Sequence, residues 1–329
     1  MSRYLFIIFC FFGVILHAGQ TRILSLDGGG VRGVVTLELL SHLQEGTGIN
    51  FHEDFDFYAG TSTGSIIAVA LACGMSVHDL IKDYKDLSSD VFSDGSYLSL
   101  FKPEYSHDKL KHDVKKILKA CGLSEDVLVK DLPKKVIITT VSLDDKETHR
   151  WRMEFIENVT FGGGNIKVVD AILESTAAPT YFPSEHGHID GGMGMNDPSL
   201  AALMYAYQPT DDLRDFILLA VGTGYDPRYI KGNEEWGKSQ WLATGSDHSG
   251  YPPLLNLLMD VESQVPEQVA SRLLGERYRK INFPLPKPIA LDDYEEIKKL
   301  IKYTQQFIDR DLPGWHETIV WADEYIRAQ

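Results

Sequence analysis

The pentapeptide Gly60-Thr61-Ser62-Thr63-Gly64 constrains this chain more than any other stretch. Before it, Phe55-Asp56-Phe57-Tyr58-Ala59 is a β-prone aromatic run. After it, Ser65-Ile66-Ile67-Ala68-Val69-Ala70-Leu71-Ala72 has the composition of a buried helix. Strand, sharp turn, helix is the setting in which G-x-S-x-G lifts a serine hydroxyl clear of a sheet. Gly60 and Gly64 meet the steric demand of such an elbow, because side chains two positions either side of the serine would crowd the turn. The following helix would aim its positive N-terminus at the hydroxyl. A glycine- and threonine-rich turn without chemistry fits the same five residues, so neighbouring motifs have to decide.

The first of these lies upstream. Arg22 to Leu26 reads as a strand, Asp27-Gly28-Gly29-Gly30-Val31-Arg32-Gly33 as a glycine loop, and Val34 to Leu43 as a helix with Leu37, Leu40 and Leu43 facing inward. Gly28 to Gly33 also matches G-x-G-x-x-G, the dinucleotide fingerprint. That reading needs an acid about 20 residues further on, at the end of a second strand, and Asp54 or Asp56 would have to serve. A glycine loop at a helix N-terminus binds any anion, however, and a reaction oxyanion is one.

Further along, Val77 to Leu87 is a predicted helix, and Asp90 to Tyr105 a loop rich in serine, glycine and aromatics. His107 to Ala120 is a helix carrying Lys109, Lys111, Lys115, Lys116 and Lys119. These lysines suit an anionic lipid surface or a plain solvated face, the second being the commoner case. Lys135 to Val141 and Trp151 to Ile156 read as strands, and Val168 to Ser175 as a short helix. Ile189-Asp190-Gly191-Gly192 ends a strand with a carboxylate before two glycines, which is either a presented acid or an ordinary turn. Asp215 to Val221 is a buried strand leading to Gly222-Thr223-Gly224. Strands alternating with helices imply a largely parallel sheet covered on both faces. Trp236, Trp241, Tyr251 and Pro252-Pro253 mark an irregular region, followed by helices over Leu254 to Leu274 and Tyr294 to Ile308.

With 329 residues, the chain has room for one large α/β domain or two smaller ones. A formal net charge of −15 leaves no basic field to neutralise phosphates, which argues against nucleic acid as a partner but not against a membrane surface. Residues 1–19 read as a signal peptide. Arg3 precedes Tyr4 to Leu16, an uncharged run too short to span a bilayer comfortably, and cleavage is expected after Ala18 or Gly19; the alternative is an uncleaved anchor. Removal of Cys10 with that segment leaves Cys73 and Cys121, too few for a disulfide framework, and Cys73 reads as a buried thiol. Asn158-Val159-Thr160 is a glycosylation sequon that counts only in a eukaryotic secretory pathway.

The ordered set Asp27-Gly28-Gly29-Gly30-Val31-Arg32-Gly33, Gly60-Thr61-Ser62-Thr63-Gly64, Ala178-Pro179-Thr180-Tyr181-Phe182-Pro183 and Asp190-Gly191-Gly192 resembles the patatin-like phospholipase family. Asn196-Asp197-Pro198-Ser199-Leu200 and Leu219 to Gly224 look like family segments too. Gly192 stands where an alanine is common, a change between two small residues. The resemblance implies a three-layer α/β/α fold with a mainly parallel central sheet, its family domain over 23–203 and residues 204–329 completing the same fold without a recognised motif. It further implies a Ser–Asp dyad, with Ser62 as nucleophile and Asp190 as general base. Gly28, Gly29 and Gly30 would form the oxyanion-hole segment, with Arg32 supporting it.

The activity so implied is calcium-independent lipid acyl hydrolysis of phospholipase A type. It needs no cofactor, and its partners would be a phospholipid or other acyl lipid and a peripheral membrane surface; the oligomeric state is left open. A storage or lipid-binding protein with incidental esterase activity is the alternative. A Ser–His–Asp mechanism would need a later histidine, for which His248 and His316 are available. His186-Gly187-His188 lacks a third metal ligand at suitable spacing.

Overall fold

In the computed structural model the residues described are 20–93, 102–226, 235–242, 253–311 and 314–327. The elements run β1 (Thr21–Leu26), α1 (Gly33–Thr47), β2 (Phe57–Thr61), α2 (Thr63–Ala72), α3 (Val77–Phe92), α4 (His107–Ala120), β3 (Lys135–Ser142), β4 (Arg152–Glu157), α5 (Val168–Ser175), β5 (His188–Asp190), α6 (Ser199–Ala206), β6 (Phe216–Val221), α7 (Lys238–Leu242), α8 (Pro253–Leu274), β7 (Tyr278–Ile281), α9 (Ile297–Asp309) and α10 (Trp315–Ala322).

The sheet order is β4-β3-β2-β1-β6-β7, with β5 paired to β3. The pairs β1–β2, β2–β3, β1–β6 and β6–β7 are parallel, while β4 and β5 run antiparallel to β3. Strand alternation divides the core. Leu24, Leu26, Tyr58, Val136, Ile138, Ile217, Leu219 and Val221 face the larger hydrophobic cluster, under α1 to α5, α9 and α10. Ile23, Phe57, Ala59, Ile137, Phe216, Leu218 and Ala220 face a smaller cluster with Ala202 and Leu203 of α6 and Leu274 of α8. The result is the three-layer α/β/α arrangement with a mainly parallel sheet that the resemblance implies. Both faces of the inner strands are covered, which is why β1, β2 and β6 read as near-continuous apolar runs rather than alternating ones.

The lysine-heavy helix packs Leu110, Val114, Ile117 and Leu118 inward, and two of its lysines pair with Glu125. Cys73 and Cys121, at the C-terminal ends of α2 and α4, are free thiols close to each other, a proximity that sequence spacing does not show. β7 has no counterpart among the sequence expectations: four residues, three of them polar or tyrosine, carry too short a pattern to read. Residues 1–19, expected to be a signal peptide, His248 and Tyr251-Pro252 lie outside the described residues, as does part of the Asp90 to Tyr105 loop. Among the described residues no helix is long and apolar enough to cross a membrane.

The chain leaves β1 toward β2 and β3 on one side, and returns on the other as β6 and β7. The sheet therefore reverses its winding at β1. In open α/β sheets such a switch point opens a crevice beyond the carboxyl ends of the strands. The glycine loop follows β1, the Gly60–Gly64 turn ends β2, and Gly222-Thr223-Gly224 follows β6, so all three meet there.

Candidate active site

β2 ends at Thr61, and Ser62 stands at the start of α2 with φ 52° and ψ −123°. A positive φ on a residue with a Cβ is strained and persists only where the surroundings hold it. Several contacts do so here. The Ser62 amide donates to Ser175 Oγ at 2.9 Å, its carbonyl accepts from Ser65 Oγ at 2.6 Å, and the neighbouring Thr61 Oγ1 bonds Thr139 Oγ1 at 2.7 Å. A Cβ on Gly60 would run into the Gly64 carbonyl, and one on Gly64 into the carbonyl of Leu26. Both glycines are thus required by close backbone approach.

Asp190 ends β5 and is 6 % exposed. Its Oδ2 accepts from Ser62 Oγ at 2.6 Å, and its Oδ1 accepts from the Gly192 amide at 2.7 Å. Glycine stands next to the acid for a steric reason: a Cβ on Gly191 would run into the hydroxyl and carbonyl of Thr139. Burial pushes the Asp190 carboxyl up to about 6, opposed by the hydrogen bonds from Ser62 and Gly192.

The glycine loop lies against this pair, with the Gly28 Cα close enough to Ser62 that a side chain would touch it. Its amides are not equivalent. Gly28 donates to the Asn196 carbonyl at 3.2 Å, so that N–H is already engaged. The amides of Gly29 and Gly30 find no acceptor among the described residues. The Gly28 carbonyl is held by Thr223 Oγ1 at 3.0 Å, the Gly30 carbonyl by the Tyr84 hydroxyl at 2.5 Å, and the Arg32 amide closes the turn on the Gly29 carbonyl at 3.1 Å. Gly30 has φ 55° and packs on the backbone of Leu291. The Arg32 guanidinium reaches the buried Asp226 carboxylate at 3.6 Å. Of the three glycines expected to offer amides to an oxyanion, two are therefore available.

One cavity contains all of these groups. Ser62, Asp190, Gly28, Gly29, Gly30 and Arg32 line one end, while Ile66, Leu87, Val91, Phe92, Leu110 and Phe182 make an apolar arm. It holds about 1230 Å³ of space free of protein atoms, counting the part open to solvent. No histidine lines it among the described residues. His316 sits on α10, away from the cavity.

The dinucleotide reading of the glycine loop fails on geometry. Asp54 and Asp56 precede β2, at the opposite end of the sheet from the loop, and bond the amides of Asn50 and Arg22 at 2.8 and 2.9 Å. His186 and His188 are also accounted for. His186 Nδ1 meets Glu174 at 3.0 Å and His188 Nε2 meets Glu154 at 3.2 Å, in a surface-side cluster on the hairpin that carries Asp190. Sequence reasoning missed Ser175, Thr223, Tyr84, Glu262 and Lys280. Their roles depend on partners between 21 and 253 positions away, and only the Gly222-Thr223-Gly224 turn gave any local signal.

Comparison with known proteins agrees with this architecture. The model of the patatin-like phospholipase family matches residues 24–203. A cGAMP-activated phospholipase of Vibrio cholerae is 31% identical over 249 residues, covering 68% of this chain and 70% of that protein. A second cGAMP-activated phospholipase, from Escherichia coli, is 28% identical over 227 residues, 62% of each chain. Human calcium-independent phospholipase A2-gamma is 31% identical over 220 residues, 62% of this chain and 28% of that much longer protein. The chain belongs to the patatin-like phospholipase family, a family of lipid-hydrolysing enzymes.

Proposed function

We propose that this protein is a calcium-independent lipid acyl hydrolase of phospholipase A type, working through a Ser62–Asp190 dyad. One observation carries the reading: a serine with a positive φ donates to a buried aspartate at 2.6 Å, in a cavity lined by apolar side chains and by Gly29 and Gly30, whose amides find no acceptor among the described residues. The names of the relatives support the lipid substrate, and one of them supports calcium independence.

Ser62 Oγ attacks the ester carbonyl as its proton passes to Asp190 Oδ2, giving a tetrahedral intermediate and then an acyl-enzyme. The amides of Gly29 and Gly30 receive the developing oxyanion. One lost donor in such a hole typically costs about 100- to 1,000-fold in rate. Asp190 returns the proton to the leaving alcohol, and water then deacylates Ser62 by the reverse path. Free aspartate, with a pKa near ~3.9, is a poor base for a serine. Burial raises Asp190 toward the working pH, and the Gly192 amide fixes which oxygen faces the hydroxyl. Arg32, tied to Asp226, braces the loop rather than the substrate. The apolar arm of the cavity takes the acyl chain, with the ester at its polar end.

The test is fatty-acid release from mixed phospholipid vesicles by the chain from Gln20 onward, with EDTA present. Release undiminished by EDTA is expected. Loss of release on chelation, restored by calcium, would remove the calcium-independent reading. Binding of vesicles without release of either fatty acids or a short soluble ester would favour the storage or lipid-binding alternative.

Export completes the proposal: the N-terminal 19 residues act as a signal peptide, and the enzyme meets its substrate at a membrane surface from outside the compartment of synthesis. N-terminal sequencing of the chain made in its own host should give a start at Gly19 or Gln20. A chain that retains Met1 in the membrane fraction would show the uncleaved anchor instead.

A further inference from the structure

Lys280 lies on β7, in a stretch where the sequence carries no recognisable motif, yet it reaches Asp27, which lines the cavity. Its Nζ is 2.7 Å from both carboxylate oxygens of Asp27 and 2.8 Å from Asp197 Oδ2. All three side chains are buried, at 8, 6 and 0 % exposure. The two carboxylates belong to two segments that both hold the glycine loop. Asp27 is its root, anchored by its own amide to the Val221 carbonyl at 3.1 Å. Asp197 follows Asn196, whose carbonyl takes the Gly28 amide at 3.2 Å and whose side-chain amide donates to the Gly28 carbonyl at 3.4 Å. Asp197 Oδ1 in turn caps the first turn of α6 through the Ser199 amide at 2.9 Å.

We propose that Lys280 is a positioning residue for the oxyanion loop: one buried ammonium clamps the root of the loop to the Asn196-Asp197 strap that holds Gly28, and so aims the amides of Gly29 and Gly30. This rests on the reading of those amides as oxyanion donors. The clamp has an electrostatic side as well. Asp27 lines the cavity in which negative charge develops during acyl transfer, Asp197 shares its ammonium, and Glu262, pushed up to about 7 by burial, bonds the Asn196 amide at 2.9 Å. A single ammonium lies between Asp27 and Asp197: burial pushes the Asp27 carboxyl up to about 8, and the Lys280 ammonium opposes that rise and favours the anion. Burial alone would lower the Lys280 pKa, but Asp197 and Asp27 outweigh it and hold the group above the ordinary lysine range. An uncharged side chain at 280 leaves the two acids facing each other without a counter-ion, a situation that proteins relieve by proton uptake or by moving the backbone.

The experiment compares wild type, Lys280→Met and Lys280→Arg on two kinds of ligand. A long-chain trifluoromethyl ketone adds Ser62 across its carbonyl and becomes an oxyanion. The corresponding long-chain alcohol fills the same apolar arm but forms none. For Lys280→Met, ketone affinity and kcat on a short soluble ester should each fall about 100-fold, the size of one lost oxyanion donor. KM and alcohol affinity should stay within about threefold, and Lys280→Arg should recover part of the loss. Unchanged kcat and ketone affinity in Lys280→Met would overturn the proposal, as would equal losses of ketone and alcohol binding, which mark general loosening of the cavity. Where Lys280→Met does not fold, Asp197→Asn unlocks the strap alone. It should weaken the ketone at least tenfold and spare the alcohol, and ketone affinity equal to wild type there sinks the idea. Wild type that neither binds the ketone nor cleaves the ester overturns the dyad reading itself, and is told apart from failure of the clamp because it appears before any substitution at 280.

Discussion

Ser62→Ala should remove acyl release from phospholipid vesicles almost completely, by about 10⁴-fold or more, since losing the nucleophile of a hydrolytic dyad or triad leaves only binding and oxyanion stabilisation. The substitution keeps the Cβ, so the elbow with φ 52° is no more strained than before, and the variant should fold. A fluorophosphonate probe should label wild type on the peptide that contains Ser62 and leave the variant unlabelled. Release by Ser62→Ala at the wild-type rate would sink the nucleophile assignment. The same assay settles the histidine question. Alanine at His248 or His316 should leave the rate within about threefold, because a dyad has no step for either residue, whereas a Ser–His–Asp mechanism loses its base.

Asp190→Asn should have the second largest effect, and it reads out twice. Loss of a general base costs roughly 100- to 10,000-fold. Wild-type kcat/KM should fall tenfold per pH unit below about 6, where Asp190 takes up its proton, and level off above; the residual activity of Asp190→Asn should lack this limb. Stability should move the other way. The carboxyl is raised in the folded chain to about 6, from about 3.9 unfolded. The proton is therefore held more tightly by the folded state. The stability it confers is fully present below pH ~4 and is lost as pH rises through ~6. Above that, the buried anion is a net burden of order 2–3 kcal/mol. An asparagine can still accept from the Gly192 amide and can donate to Ser62 Oγ, so the variant should melt above wild type at pH 8 and level with it near pH 4. A variant less stable than wild type at pH 8 would mean that Asp190 is not desolvated in the way its burial implies.

Much of the site was legible in the chain because its chemistry is local. Asp27 to Gly33, Gly60 to Gly64 and Asp190 to Gly192 are each short contiguous motifs, and their glycines mark where the backbone approaches another segment too closely for a Cβ. Gly60 and Gly64 are explained by single clashes with nearby carbonyls. The sheet was legible for the same reason: β1, β2 and β6 carry runs of buried apolar residues that only a doubly covered parallel strand can use.

What sequence could not give is what distant segments do to one another. Gly28, Gly29 and Gly30 look alike in the chain, yet Gly28 spends its amide on the Asn196 carbonyl, while those of Gly29 and Gly30 find no acceptor among the described residues. Arg32 reads as part of the loop, but its guanidinium turns to Asp226. Lys280 is one lysine in a short polar strand until the parallel pairing of β6 with β7 puts it beside Ala220, from where it reaches Asp27 and Asp197. The turns, strands and their order follow from local sterics and hydrophobic pattern, which the sequence determines by itself. Which amides are free, which carboxylates are buried and which cation offsets them depend on desolvation and on contacts across 83 to 253 positions, and only the packed tertiary structure decides those.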